Sequence, residues 1–211
     1  MGEWGNEHYN GWACYLKESK YNGVIVAIYG PTSSGKSVAR DVFVQEGWDK
    51  LVSYTTRPPR PGALEESAHE YDFVSPEEFS ELNDGNMLMN VNLSYAGNSY
   101  GTDKKRVKET KRGIMITDKT SIPKLKKEME ALGKRVVTVY VTAPPETLLE
   151  RQAKRLKTGE YEDQQQMQMR MTELEKEIER EQKIISMADY VIMEDDIPQT
   201  IAKAKDLADR L

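Results

Sequence analysis

The run Val24 to Tyr29 (VIVAIY) leads straight into Gly30-Pro31-Thr32-Ser33-Ser34-Gly35-Lys36-Ser37, and no other stretch constrains the fold as tightly. A continuous apolar run with β-branched residues predicts a strand buried on both faces. The Gly-x-x-x-x-Gly-Lys-Ser pattern after it predicts a loop whose backbone N–H groups turn inward around an anion. A helix over Lys36 to Gln45, stopped by Gly47, closes the unit. Its N-terminus adds about half a unit of positive charge. Lys36 is long enough to reach the β- and γ-phosphates of a nucleoside triphosphate, and the Ser37 hydroxyl suits Mg²⁺. A chance match in an ordinary turn would lack the strand and the helix. The motif predicts triphosphate binding and leaves the fate of the γ-phosphate open.

The rest of the chain repeats the strand–helix rhythm. Ile114 to Thr117, Val136 to Val141 and Tyr190 to Met193 read as further buried strands. Helical patterns fall at Ile122 to Leu132, Pro145 to Lys157, Gln164 to Met187 and Pro198 to Leu211. Alternation of this kind predicts an α/β fold, a parallel sheet core with helices on both faces. Residues 53–103 are rich in Pro, Gly, Ser and Asn and read as an inserted small subdomain. Residues 1–22 read as an N-terminal extension. The methionines Met87, Met89, Met167, Met169 and Met171 read as core or lid packing.

Composition removes several classes of function. One cysteine, Cys14, rules out an internal disulfide framework, and His8 and His69 have no cysteine pair to join in a zinc site. No apolar run reaches the roughly 18 residues of a membrane span, and the N-terminus lacks the basic start and apolar block of a signal peptide. A cytoplasmic protein without a membrane partner is the expectation. With 30 basic against 35 acidic residues the net charge is -5, which argues against a nucleic acid partner. Small anionic substrates need only a local cationic pocket.

Such a pocket is suggested by Ser53-Tyr54-Thr55-Thr56-Arg57-Pro58-Pro59-Arg60-Pro61-Gly62. Arg57 and Arg60, three apart among prolines, form a stiff cationic clamp whose guanidinium forks match phosphate oxygens. Beside a triphosphate loop, the clamp suggests a second phosphate-bearing substrate.

With this stretch, Glu70-Tyr71-Asp72-Phe73-Val74-Ser75 and the later Ser99-Tyr100-Gly101-Thr102, the chain resembles the guanylate kinase family from about Val24 to the C-terminus. The resemblance implies a P-loop NTPase three-layer fold with an inserted NMP (nucleoside monophosphate)-binding subdomain and a helical lid. The implied division is a core at 23–52, the NMP-binding subdomain at 53–103, core again at 104–150, lid at 151–172 and core at 173–211. It also implies transfer of the ATP γ-phosphoryl to GMP or dGMP with Mg²⁺. ATP would lie on Gly30, Thr32, Ser33, Ser34, Gly35, Lys36, Ser37 and Val38, with Ser37 toward the metal. The acceptor would meet Ser53, Arg57, Arg60, Tyr71 and Tyr100 at its phosphate, and Thr102 and Asp118 near its base. Arg151, Arg155 and Arg170 would come from the lid and join Lys36 and Arg57 in catalysis. The segment Tyr190 to Asp196 would border the adenine. A monomer and a homodimer both fit.

Three departures from the family pattern stand out. Ala63 replaces a usual Glu, and the run on to Tyr71 is longer. The carboxylate expected to accept from guanine N1 and N2 is missing, and Met89 or Asn90 falls nearest its place. Ile116 stands where an Asp usually precedes Asp118 by two residues. The phosphate apparatus therefore reads as intact and the base pocket as altered. A (deoxy)nucleoside monophosphate kinase of altered or broad base specificity, of phage-like type, is the alternative. A non-catalytic guanylate-kinase-like binding module and a hydrolysing NTPase explain less, because Lys36, Ser37, Arg57 and Arg60 are all present.

Overall fold

Alternation along the first strand sets up the three layers. A computed structural model describes residues 20–59, 71–95, 97–157, 164–179 and 184–211. Strand β1 (Gly23–Tyr29) is central in a parallel five-stranded sheet ordered β2-β7-β1-β8-β9. The others are β2 (Asp49–Lys50), β7 (Arg112–Ile116), β8 (Lys134–Thr142) and β9 (Tyr190–Met193). Val26 pairs with Ile114 of β7 on one side and Val137 of β8 on the other. Val26 and Ile28 then point to one face and Ile25 and Ala27 to the other, all fully buried. Full burial of one such aliphatic side chain is worth about 1.5–3 kcal/mol, so both faces of β1 are anchored.

Helices α1 (Lys36–Gln45) and α7 (Ile197–Arg210) cover the Val26 and Ile28 face through Phe43, Ala204 and Leu207. The apolar stripe of α4 (Ile122–Ala131) covers the other face through Leu125 and Met129. The α/β reading holds, with strand ends moved by a residue or two, but β9 is not the buried strand expected: it lies at the sheet edge, where Tyr190, Val191 and Met193 are exposed and Ile192 is buried. The long helix expected over Gln164 to Met187 is described as α6 (Gln164–Glu179), with residues 180–183 outside the described residues. Helix α5 (Pro145–Lys157) precedes it. Among the described residues, no helix is long and apolar enough to cross a membrane.

Residues 53–103 carry a second sheet ordered β4-β3-β6-β5. Its strands are β3 (Ser53–Thr55), β4 (Tyr71–Phe73), β5 (Leu88–Tyr95) and β6 (Asn98–Asp103). Two helices flank it. Helix α2 (Pro76–Asp84) opens with a capping box in which Ser75 and Glu78 satisfy each other's backbone N–H groups. Helix α3 (Lys104–Glu109) starts on the Asp103 side chain. Arg106 of α3 then holds Asp72 of β4 at 2.6 Å and lies over Tyr54 of β3, fixing those two strands against each other. Strand β5 is irregular between Met89 and Asn92, and Asn90 adopts φ 51°, a left-handed value rare in a strand.

The methionines do not form one cluster. Met89 is buried in the core, whereas Met87 and Met169 are exposed.

Candidate functional site

The C-terminal ends of β1 and β7 and the second sheet converge on one cavity of about 600 Å³. Gly30, Thr32 and Lys36 of the loop at residues 30–37 line it. Gly30 sits at φ 151°, and a Cβ there would lie 2.0 Å from the Val141 carbonyl oxygen of β8. Only glycine allows that approach. Gly35, at φ 93°, turns the chain into α1. Lys36 folds back over the loop, donating to the carbonyls of Gly30 at 3.0 Å and Pro31 at 2.5 Å. Its ammonium therefore already sits across the loop's mouth. Thr32 and Ser33 are half-buried, and Ser34 is buried with no hydrogen-bond partner for its hydroxyl among the described residues. Ser37 is exposed on the first turn of α1, with Val38 half-buried beside it.

The opposite wall comes from the second sheet. Arg57 lies over the Tyr71 ring at 5.3 Å, and Tyr71 meets Tyr100 edge to face at 5.8 Å. This stack holds a guanidinium and two phenol rings in one place without a ligand. The backbone N–H of Arg57 donates to Thr55 Oγ1 at 3.1 Å. The hydroxyls of Ser53 and Thr102 meet at 3.1 Å. Ser53, Arg57, Tyr71 and Tyr100 all line the cavity, but Thr102 is buried behind Ser53 and does not. Thr102 is the cross-strand partner of Ser53 and meets the cavity wall through that hydroxyl pair. Arg60 lies outside the described residues.

Asp118 lines the third side. Its carboxylate accepts from the backbone N–H groups of Thr120 at 2.8 Å and Ser121 at 3.1 Å and from both their hydroxyls. Burial pushes this carboxyl up, but the bonds from Ser121 and Thr120 outweigh it and hold it below its ordinary 3.8. A lowered folded value means stability that is present in full above pH 3.8 and lost as pH falls through the folded value. Asp118→Ala is expected to cost about 1–3 kcal/mol at pH 7 and to flatten this acid-dependent loss. Thermal unfolding of both proteins at pH 7 and pH 3 checks it.

Arg151 reaches from α5 to the loop, donating to the carbonyl of Ser33 at 3.4 Å and to that of Asp195 at 2.9 Å. Arg155 and Arg170 fall on α5 and α6, and their side chains lie outside the described residues. Four cations, Lys36, Arg57, Lys119 and Lys176, line the cavity against the one carboxylate of Asp118, among the described residues. A chain of net charge -5 thus concentrates positive charge at one concave site, the arrangement a phosphate-bearing ligand requires.

Sequence reasoning missed three residues here. Lys119 and Lys176 carry no motif. Gln152 is fully buried and accepts from Ser33 Oγ at 2.8 Å and Thr32 Oγ1 at 3.4 Å. Its signal was present: it stands four residues after the buried Leu148, so an amide interrupts the apolar stripe of α5.

The family model described as guanylate kinase matches residues 22–210. The chain is 26% identical to a guanylate kinase of Wolbachia pipientis wMel over 194 residues, covering 90% of this chain and 92% of the relative. It is 31% identical to one from Chlamydia felis over 186 residues, covering 83% and 82%. The crystal structure of guanylate kinase from Anaplasma phagocytophilum superposes with a TM-score of 0.61 at 24% identity, covering 90% of this chain and 86% of that one.

Proposed function

The chain belongs to the guanylate kinase family of nucleoside monophosphate kinases, and on that premise we propose that it transfers the γ-phosphoryl of ATP to the α-phosphate of GMP or dGMP. It does so in the cytoplasm, as a monomer or homodimer. The observation that carries the reading is the pairing, across one cavity, of the Lys36 loop with the stacked Arg57, Tyr71 and Tyr100. One wall suits a triphosphate and the other a monophosphate.

Phosphoryl transfer asks the protein for alignment and charge neutralisation more than for covalent chemistry. The triphosphate lies on residues 30–37, and Lys36 exchanges its two loop carbonyls for phosphate oxygens. Arg57, Arg60, Tyr71, Tyr100 and Ser53 hold the acceptor phosphate. Arg151, with Arg155 and Arg170, neutralises charge on the transferring group and excludes water. No general base is needed, because the acceptor phosphate oxygen is already ionised. The Ser37 hydroxyl, an oxygen donor exposed on the first turn of α1, suits Mg²⁺. Ser37 would hold the ion, which supplies neutralisation of the phosphate charge when bound.

At the base, Asn90 stands in for the missing carboxylate. Its backbone N–H is fixed by Glu128 at 2.6 Å, its amide nitrogen donates to Thr117 Oγ1 at 3.4 Å, and its amide oxygen is buried without a partner among the described residues. Met89, the other residue near that place, is 1% exposed and belongs to the core. A neutral acceptor pairs one purine donor where a carboxylate pairs two. Asn90→Ala is expected to lower kcat/KM for GMP about tenfold while the KM for ATP stays put. Acceptor titrations at saturating ATP read this out.

A label experiment tests the function itself. With γ-labelled ATP and GMP, the label should appear in GDP. Label released only as inorganic phosphate would contradict transfer.

A further inference from the structure

Ser33 occupies the phosphate loop at φ 62°, a left-handed conformation that disfavours any residue with a Cβ. Two adjacent residues of α5 grip it. Gln152 Oε1 accepts its hydroxyl at 2.8 Å, and Arg151 donates to its carbonyl oxygen at 3.4 Å. The same Gln152 oxygen lies 3.4 Å from the Thr32 hydroxyl, so one amide oxygen meets two successive loop residues. Gln152 is 0% exposed and stands one helical turn beyond the fully buried Leu148. Packing alone would favour an aliphatic side chain there, because a buried amide requires hydrogen-bond partners. Its partners include loop hydroxyls.

We propose that Gln152 is a positioning residue for the donor site: it holds Ser33 in the left-handed conformation that keeps the loop open as a preformed phosphate cradle. A cradle already shaped loses less entropy when the triphosphate enters. The grip also sets the level of α5, and with it Arg151, relative to the loop. The inference rests on residues 30–37 being the ATP site but not on the identity of the acceptor.

Because Gln152 restrains a residue that glycine would not need restrained, the effect of its loss should depend on what stands at position 33. The experiment measures the Kd of MgATP, by displacement of a fluorescent ATP analogue, for wild type, Gln152→Leu, Ser33→Gly and the double variant. Gln152→Leu is expected to weaken ATP about tenfold when Ser33 is present and by less than about twofold when position 33 is glycine. The KM for GMP should not follow. If Gln152 only packs α5, the loss will be equal in both backgrounds, since glycine in the loop cannot repair a helix. An equal loss, or no loss in either, overturns the proposal. Should Gln152→Leu fail to fold, Gln152→Asn withdraws the acceptor by one methylene and is read in the same cycle with the same expectation. A wild type that binds ATP but phosphorylates no acceptor would sink the kinase reading, while the Kd cycle would still decide this one.

Discussion

Replacing Lys36 by methionine is expected to lower phosphoryl transfer by about a thousandfold or more, with the fold retained. The expectation follows from where the ammonium sits. Lys36 bridges the carbonyls of Gly30 and Pro31, so its charge is held at the mouth of the loop before any ligand arrives. Methionine keeps most of the stem and removes only the charge. A thousandfold corresponds to about 4 kcal/mol of transition-state stabilisation, a size typical of one well-placed donor in an enclosed site. The two loop carbonyls lose a donor, so thermal stability should fall by only about 1 kcal/mol. Steady-state kinetics alongside thermal unfolding separates the two effects. Transfer within about tenfold of wild type would remove Lys36 from the mechanism.

Arg57→Ala should act on the other substrate. The KM for GMP is expected to rise about 10- to 100-fold and kcat to fall about tenfold, while the KM for ATP changes less than about twofold. Arg57 lies over Tyr71, which in turn meets Tyr100, so removing the guanidinium also frees the ring that supports it. Arg57→Lys should recover part of the KM effect and little of the kcat effect, because an ammonium keeps the charge and loses the fork. Acceptor and donor titrations of both variants test this split. A variant whose KM rises equally for ATP and GMP would place Arg57 outside the acceptor wall.

The parts of the fold legible in the sequence are those with a long periodic signal. β1, its loop and α1 are written in one continuous stretch, and β8 is an apolar run buried from Val137 to Val141, whereas the similar run of β9 sits at the sheet edge and buries Ile192 but exposes Tyr190, Val191 and Met193. The second sheet was legible only as a break in the rhythm. Its strands β3 and β4 are three residues each, too short for alternation to show, and they pair across residues far apart in sequence. Helix α2 was announced by Ser75-Pro76-Glu77-Glu78, a capping signal that went unread. Lys36 and Arg57, which the structure places on the same cavity, could be singled out from residue chemistry and spacing. The left-handed turn at Asn90 could not, because it depends on Glu128 of α4 reaching across to its backbone. Thr102 shows the limit in the other direction: regular pairing of β6 with β3 puts it on the same sheet face as Tyr100, but its hydroxyl meets that of its cross-strand partner Ser53.

The proposed base pocket joins these results. Ile116 presents apolar surface where a second acid was expected, Asp118 has its carboxylate engaged by the start of α4, and Asn90 offers a neutral acceptor. The phosphate walls are strongly cationic by contrast. Binding energy therefore falls on the phosphates, and discrimination is left to a few neutral contacts at the base.

On the proposed reading the cavity carries phosphate from ATP to a guanine monophosphate. ADP release, measured with MgATP against GMP, dGMP, AMP, dAMP, CMP, dCMP, UMP and dTMP in turn, tests it most directly. The account predicts strong turnover with GMP or dGMP and much weaker turnover with the others. Equal turnover with AMP or a pyrimidine monophosphate, or silence across all eight while ATP still binds, would contradict it.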